Sequence, residues 1–168
     1  MKYVSFLLIS VLFSCGGITE EVVQQMRVQV ANNETQLDKF DSWQPVGQTV
    51  VLISTTDTCN ISALFNAEAS GANATLTFGS PLKTTYSFQV RILIDDVVAS
   101  PESAVFINSD VIAFGGYSSH SFMATLNNVK PGAHAIRVEW KMKDPGISLL
   151  SNAHLGNRTL TVWTTHVQ

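Results

Sequence analysis

Alternation of apolar and polar residues at every second position is the feature that most constrains this chain. Two segments show it most clearly, Tyr86–Ile94 and Ala133–Met142, and in the first of them Gln89 and Arg91 interrupt a row of apolar residues. A period of two is the period of a β-strand, whose successive side chains point to opposite faces of the sheet. No window of comparable length shows the 3.6-residue period of an amphipathic helix. The sequence therefore predicts an all-β protein.

Turn-forming residues divide the chain into short strands. Asp95-Asp96 falls where a tight hairpin turn is expected, because Asp tolerates the positive φ of such turns. Lys130-Pro131-Gly132 marks a second turn. Eight or nine strands separated in this way are typical of a sandwich or barrel. Long strands with inward aromatic residues favour two packed sheets, so we predict an antiparallel β-sandwich of jelly-roll type. The Cys…Trp…Cys framework of immunoglobulin domains is absent.

Some apolar residues fall outside this inward pattern. The β-branched run from Thr49 to Ser54 predicts a strand that is covered on both faces. Leu64, Leu93 and Trp163 are expected on outer strand faces, where apolar side chains favour contact with another surface. An outer face of this kind resembles the assembly surfaces of trimeric jelly rolls of the complement C1q and tumour-necrosis-factor type. That resemblance implies that the protein forms a homo-oligomer, namely a trimer.

The end of the chain resembles the closing hairpin of uncharacterised secreted jelly-roll modules. In those modules a P-G-x-H-x-I-x-V-x-W strand precedes a G-x-R-x-L-x-V strand. This chain has Pro131-Gly132-Ala133-His134 leading into Val138-Glu139-Trp140, and Gly156-Asn157-Arg158 leading into the last strand. The hairpin Ile92–Pro101 fits the same modules. The resemblance supports the predicted fold and implies no activity or site.

Residues Met1–Cys15 have the pattern of an export signal. Lys2 precedes an apolar run from Tyr3 to Phe13, and small residues follow it. The run is too short to span a bilayer, which takes about 20 apolar residues. We therefore expect an exported protein without a membrane helix in its mature part.

Two interpretations of the signal remain open. Leu12-Phe13-Ser14-Cys15 resembles the lipobox of bacterial lipoproteins, in which the cysteine is lipidated, and this would make Cys15 a membrane anchor. Ordinary cleavage near Gly16 or Gly17 would instead remove Cys15. The predicted division of the chain is a signal or lipoprotein leader at 1–17, a linker or N-terminal extension at 18–44, and the β-sandwich domain at 45–168.

Composition excludes one class of partner. Only 14% of the 168 residues are charged, Lys and Arg total 10, and the formal net charge is −3. Nucleic-acid binding depends on a face rich in Lys and Arg that neutralises phosphates. We therefore expect no nucleic-acid partner. A membrane contact is expected only through the lipid anchor.

Motifs that would indicate catalysis or a cofactor are absent from the sequence. The four histidines show no H-x-H, H-x-x-x-H or H-E-x-x-H spacing, so no metal site is predicted. Glu139 lies between Arg137 and Lys141 and is expected on a solvated ion-pair face. Cys59 is expected to be a small buried side chain in a strand. The sequence predicts no enzyme, no catalytic residue and no cofactor.

Two aromatic residues are the candidate ligand-binding residues. Leu160 and Val162 share one face of the last strand, so Trp163 points to the other face and is available to stack on a sugar or to bind a partner. Tyr117, in a glycine-rich segment, is expected to assist. Alternatively, both faces of the sheet are covered at Trp163.

The leading hypothesis from the sequence is an exported, non-catalytic β-sandwich at the cell surface or envelope. It would act in binding or adhesion to a protein or glycan partner, or in assembly. A carbohydrate-binding module is the main alternative, and a small secreted hydrolase is a more distant one.

Overall fold

A computed structural model describes residues 23–37, 41–73, 86–109, 117–142 and 151–166. All regular secondary structure in these ranges is β-strand. No helix in the described ranges has the length and hydropathy needed to cross a membrane. The strands are β1 (Val23–Ala31), β2 (Thr35–Leu37), β3 (Gln44–Thr55), β4 (Cys59–Asn73), β5 (Tyr86–Ile94), β6 (Val97–Val98), β7 (Ala104–Ser109), β8 (Ser118–Val129), β9 (Gly132–Met142) and β10 (Ser151–His166).

The strands form two antiparallel sheets that pack face to face. The first sheet has the order β1-β10-β4-β8, with β2 also paired to β10. The second has the order β3-β9-β5-β6, with β7 also paired to β5. The pairing is nested: β1 joins β10, β3 joins β9, β4 joins β8, and β5 joins β6 and β7. Nested pairing that alternates between two sheets is the jelly-roll arrangement, so the predicted fold is confirmed.

The core lies between the two sheets and follows the predicted alternation. The inward apolar residues of β9 and the described inward apolar residues of β5 are at most 2% exposed. The second sheet contributes Val90, Ile92, Ile94, Ile136, Val138, Trp140 and Met142, and the first contributes Ile61, Ala63, Phe65, Leu160 and Val162. Burying such a side chain stabilises the fold by about 1.5–3 kcal/mol relative to its exposure. Tyr86 and Phe88, also predicted inward, have side chains outside the described set.

The Asp95-Asp96 turn has the geometry that its sequence predicts. Both residues have positive φ, 50° and 69°, as a two-residue type I′ hairpin turn requires. The turn joins β5 to β6 and sets Leu93 opposite Val98. The prediction of a tight hairpin is confirmed.

The coverage of the outer face of the second sheet differs between its strands. The prediction that Thr49–Ser54 is covered on both faces was wrong, because Val50 and Leu52 are exposed by 54% and 71%. Leu93 lies opposite Arg137 on the outer face of β5, as predicted, but it is only 3% exposed. β3 is an edge strand of the sheet, whereas β5 lies between β9 and the strands β6 and β7.

The segment 18–44, expected as a linker or N-terminal extension, contributes two strands to the first sheet. β1 pairs with β10 over Val23–Ala31, and β2 pairs with β10 further along the same strand. β3 then begins at Gln44. The signal segment, including Cys15, lies outside the described residues.

Candidate interaction surface

The outer face of the first sheet carries no charged side chain in its three central rows. The rows follow the cross-strand register and consist of Met26, Trp163, Ser62 and Thr125; Val28, Thr161, Leu64 and Met123; and Val30, Thr159, Asn66 and Ser121. Neighbouring strands lie about 4.8 Å apart, so the side chains of a row contact each other. Five of them form what we call the apolar patch: Met26, Val28, Leu64, Met123 and Trp163.

The apolar patch is open to solvent at its two edges and half-buried at its centre. Met26, Val28 and Met123 are exposed by 45%, 42% and 53%. Leu64 and Trp163 are half-buried. Trp163 pairs directly with Met26 across β1 and β10 and lies diagonally next to Leu64. The structure therefore places Trp163 outside the core, within an apolar surface.

The strand β1 turns its apolar side chains away from the core. Met26, Val28 and Val30 point outward, whereas Arg27 and Gln29 pair with the buried residues of β10. A shift of one residue would reverse both faces of the strand, and register normally places the apolar set on the covered face. The register of β1 therefore leaves an apolar row exposed on the outer face of the first sheet.

The outer face of the second sheet is charged instead. Arg91 donates to the Glu139 carboxylate at 2.6 Å, Arg137 donates to the same carboxylate at 3.2 Å, and Arg137 also pairs with Asp96. Glu139 is only 9% exposed. The predicted ion-pair face is confirmed, but Glu139 is buried within it and not solvated.

An aromatic ring completes this charged face. The Arg91 guanidinium lies 4.3 Å from the centre of the Trp43 ring, and the Lys141 ammonium lies 4.9 Å from it. Cations near an indole ring are stabilised by the negative face of the ring. The charges of this face are therefore satisfied within one chain.

A cleft opens where the apolar patch ends. It has a volume of about 230 Å³ and includes Asn66, Glu68, Ser121 and Asn157 in its lining. Ser121 Oγ donates to Asn66 Oδ1 at 2.6 Å, and Asn157 Nδ2 donates to Glu68 Oε2 at 2.9 Å. We call this site the polar cleft. It lies at the end of the sheet far from Trp163.

Tyr117 stands at the border of the polar cleft. A β-carbon at position 156 would lie 3.4 Å from Tyr117 Cε1 and 3.2 Å from Glu68 Oε2, so the ring and the carboxylate share the space above Gly156. Burial and a hydrogen bond to Glu34 raise the pKa of the Tyr117 hydroxyl, which also bonds Ser70. The side chain is nevertheless 46% exposed. The hydroxyl therefore has hydrogen-bond partners, while part of the side chain is exposed to solvent.

The two aromatic candidates are therefore not brought together. Gly156, next to Tyr117, and Trp163 are seven positions apart on β10, which corresponds to about 20 Å along a strand. Trp163 belongs to the apolar patch and Tyr117 borders the polar cleft. The sequence could not separate them, because only the pairing of β10 with β4, and of β4 with β8, decides what lies beside each ring.

Arg158 is the functional feature that the sequence did not indicate. It is 2% exposed, and its guanidinium donates to the Gly47 carbonyl at 2.8 Å and to the Asn33 carbonyl at 2.5 Å. It also donates to the carbonyl of Gly156 at 3.1 Å. Burial lowers the pKa of Arg158. Its side chain fixes the β10 bulge beside the polar cleft. The sequence showed Arg158 only as part of the G-x-R pattern of the last strand, and that pattern does not indicate these contacts.

The histidines and the cysteine occupy separate places. Ser118 Oγ and His120 Nε2 are 2.7 Å apart, and burial lowers the pKa of His120. His134 is buried and bonds Asp95 at 2.6 Å. Cys59 is fully buried, as expected, and burial raises the pKa of its thiol. Within the described ranges, no three His, Cys, Asp or Glu side chains are grouped to hold a metal ion.

Comparison with known proteins gives structural likeness only. No protein-family model matches the chain, and no curated protein matches it. Three solved structures from infectious bursal disease virus are similar to it. The VP2 subviral particle has 11% identity and a TM-score of 0.48, over 92% of this chain and 38% of that chain. The structure of the Gx strain has 9% identity and a TM-score of 0.45, over 94% of this chain and 43% of that chain. The structure of the Gt strain has 11% identity and a TM-score of 0.40, over 90% of this chain and 36% of that chain.

This chain thus spans less than half the length of those viral chains. Identities and TM-scores at this level assign no function to it.

Proposed function

We propose that this protein is a non-catalytic assembly module, and that a second copy of the chain covers the apolar patch. The observation that carries the proposal is the outward apolar register of β1, which continues across β10, β4 and β8. Exposed apolar area of this kind is typical of protein interaction sites. Interfaces are enriched in Met and Trp, the residue types at the edges and centre of the patch.

The absence of charge in the three rows favours self-association over a charged partner. In a two-fold dimer the same patch meets itself, so any charge near its centre would meet a like charge. The second sheet carries such charges on its outer face, whereas the three rows of the first sheet have none. The apolar patch is therefore the surface that tolerates its own copy.

The size of the face is sufficient for a dimer. β1 has nine residues, which extend about 30 Å, and four strands are about 19 Å wide. Their product is roughly 600 Å², the lower end of what one partner contributes to a stable interface. A cyclic trimer, expected from the resemblance to trimeric jelly rolls, would instead join two different surfaces of each copy, with the apolar patch as one of them.

Light scattering with size-exclusion chromatography tests the proposal. The wild-type protein from Gly17 onward is expected to elute as a dimer or trimer at micromolar concentration. Met123→Glu buries a charge opposite its own copy and is expected to weaken association at least 100-fold, because an unpaired buried charge costs several kcal/mol.

Leu52→Glu is the matched control, since it adds the same charge to an exposed apolar residue of the other sheet. It is expected to leave the oligomer intact. A wild-type monomer at 100 μM, or equal loss of association in both variants, would disprove the proposal. Circular dichroism confirms that both variants keep the sandwich.

Export and surface display form part of the same proposal. They are supported by the leader sequence and by the match of Leu12–Cys15 to a lipobox. Mass spectrometry of the mature N-terminus is expected to find a diacylglyceryl group on Cys15. An unmodified start at Gly16 or Gly17 would exclude the lipid anchor while leaving export and assembly in place.

A further inference from the structure

We propose that the polar cleft binds a neutral saccharide, with Tyr117 as the stacking surface for one sugar ring. This site is distinct from the apolar patch, so the proposal does not depend on self-association. The cleft volume of about 230 Å³ lies below the roughly 300–1,000 Å³ of pockets for drug-sized ligands. It therefore suits one ring better than an extended ligand.

The lining of the cleft presents the groups that hydroxyls need. Amide groups of Asn66 and Asn157 offer both donors and acceptors, and Ser121 adds a hydroxyl. The Glu68 carboxylate has about four acceptor positions, of which the Asn157 amide uses one. A sugar hydroxyl donates and accepts at once, so mixed groups of this kind bind it better than donors or acceptors alone.

These groups are held in place before a ligand arrives. Ser121 is bonded to Asn66, and Asn157 is bonded to Glu68, across three different strands. The Tyr117 ring lies beside the Glu68 carboxylate above Gly156, and the residue is 46% exposed. A rigid site loses little conformational entropy on binding.

The charge of the cleft selects neutral ligands. Arg158 lines it, but its guanidinium donates to three backbone carbonyls. Glu68 adds a negative charge at the same place. His120 also lines the cleft, but burial lowers its pKa and its ring bonds Ser118. An acidic sugar would therefore meet the Glu68 carboxylate without a free cation among the described lining residues, and like charges at contact distance repel. Hexoses and N-acetylhexosamines are the expected class.

A glycan array of neutral, sialylated and uronic-acid glycans tests the proposal with the wild-type protein. Neutral glycans are expected to bind, and calorimetry with the strongest neutral glycan then compares variants. Tyr117→Ala is expected to weaken binding about 5- to 10-fold, because it removes the ring contact. Asn66→Ala is expected to weaken it to a similar extent.

Tyr117→Phe and Trp163→Ala serve as controls. The Phe variant keeps the ring and is expected to bind within about 3-fold of wild type, which separates loss of stacking from loss of folding. Trp163→Ala removes an aromatic residue outside the cleft and is expected to leave glycan binding unchanged. Met123→Glu is expected to abolish association but not glycan binding, so the two proposals fail independently.

Three results would overturn the saccharide proposal. They are an array with no neutral glycan bound, a preference for acidic glycans, and binding that depends on Trp163 and not on Tyr117.

Discussion

The outer faces of the two sheets differ in the side chains that they present to solvent. The first sheet exposes uncharged rows with a continuous apolar patch, whereas the second places Arg91, Glu139 and Arg137 in an ion network. Both faces belong to antiparallel sheets, which commonly present one side to water. The difference is that the charges of the second face pair with each other within the chain, although Val50 and Leu52 are exposed beside them. The first face has no charge in its central rows, and its apolar patch is exposed at both edges.

The largest expected change in the stability of a single chain comes from the ion network of the second sheet. Glu139→Gln removes the carboxylate that two guanidinium groups share. We expect the free energy of unfolding to fall by about 1–3 kcal/mol, the usual cost of leaving buried charged groups incompletely paired. Urea unfolding measures it as a lower midpoint with an unchanged slope.

Glu102→Gln is the control for this substitution, because Glu102 is exposed. It is expected to change stability by less than about 0.5 kcal/mol. The oligomer of the Glu139→Gln variant should match wild type. If that variant dissociated without a loss of stability, the charged face would be the assembly surface and the comparison would be reversed.

A smaller effect is expected from Asp95, at the edge of the charged face. Burial raises the pKa of Asp95, but hydrogen bonds from His134 and from the Ala135 N–H outweigh it and leave the pKa below 3.8. A lowered folded pKa stabilises the protein above the unfolded value, and this stability is lost as pH falls through the folded pKa.

The Asp95→Asn variant removes this pH dependence. Urea unfolding between pH 5 and pH 2 is expected to show a shallower loss of stability than in wild type. The difference should stay under about 1 kcal/mol, because the Asp95 side chain is 43% exposed and screened by solvent. Parallel curves for the two proteins would show that the Asp95–His134 contact contributes nothing in acid.

Much of the fold could be predicted from local pattern. The inward sets of β5 and β9 and the Asp95-Asp96 turn follow from a period of two and from the φ preferences of Asp. Such features depend on neighbours in sequence. The coverage of Thr49–Ser54 was predicted wrongly, because it depends on whether the strand lies at an edge or inside its sheet.

The candidate sites could be predicted only in part. The sequence identified Trp163 and Tyr117 as aromatic residues outside the core pattern, but it could not assign a neighbour to either. It named Arg158 only as part of a strand motif and did not indicate its contacts or the contact of Asn66 with Ser121, because these partners are far apart in the chain.

By itself, the sequence determined that the protein is all-β and has few charges, and it favoured a jelly-roll sandwich. These predictions follow from composition and local periodicity. Only the tertiary structure decided which faces those strands share. The register of β1 against β10 places the apolar residues of this alternating strand, Met26, Val28 and Val30, on the outer face of the sheet. Register is a property of paired strands, and a one-residue difference reverses every side chain, so no single strand's sequence can specify it.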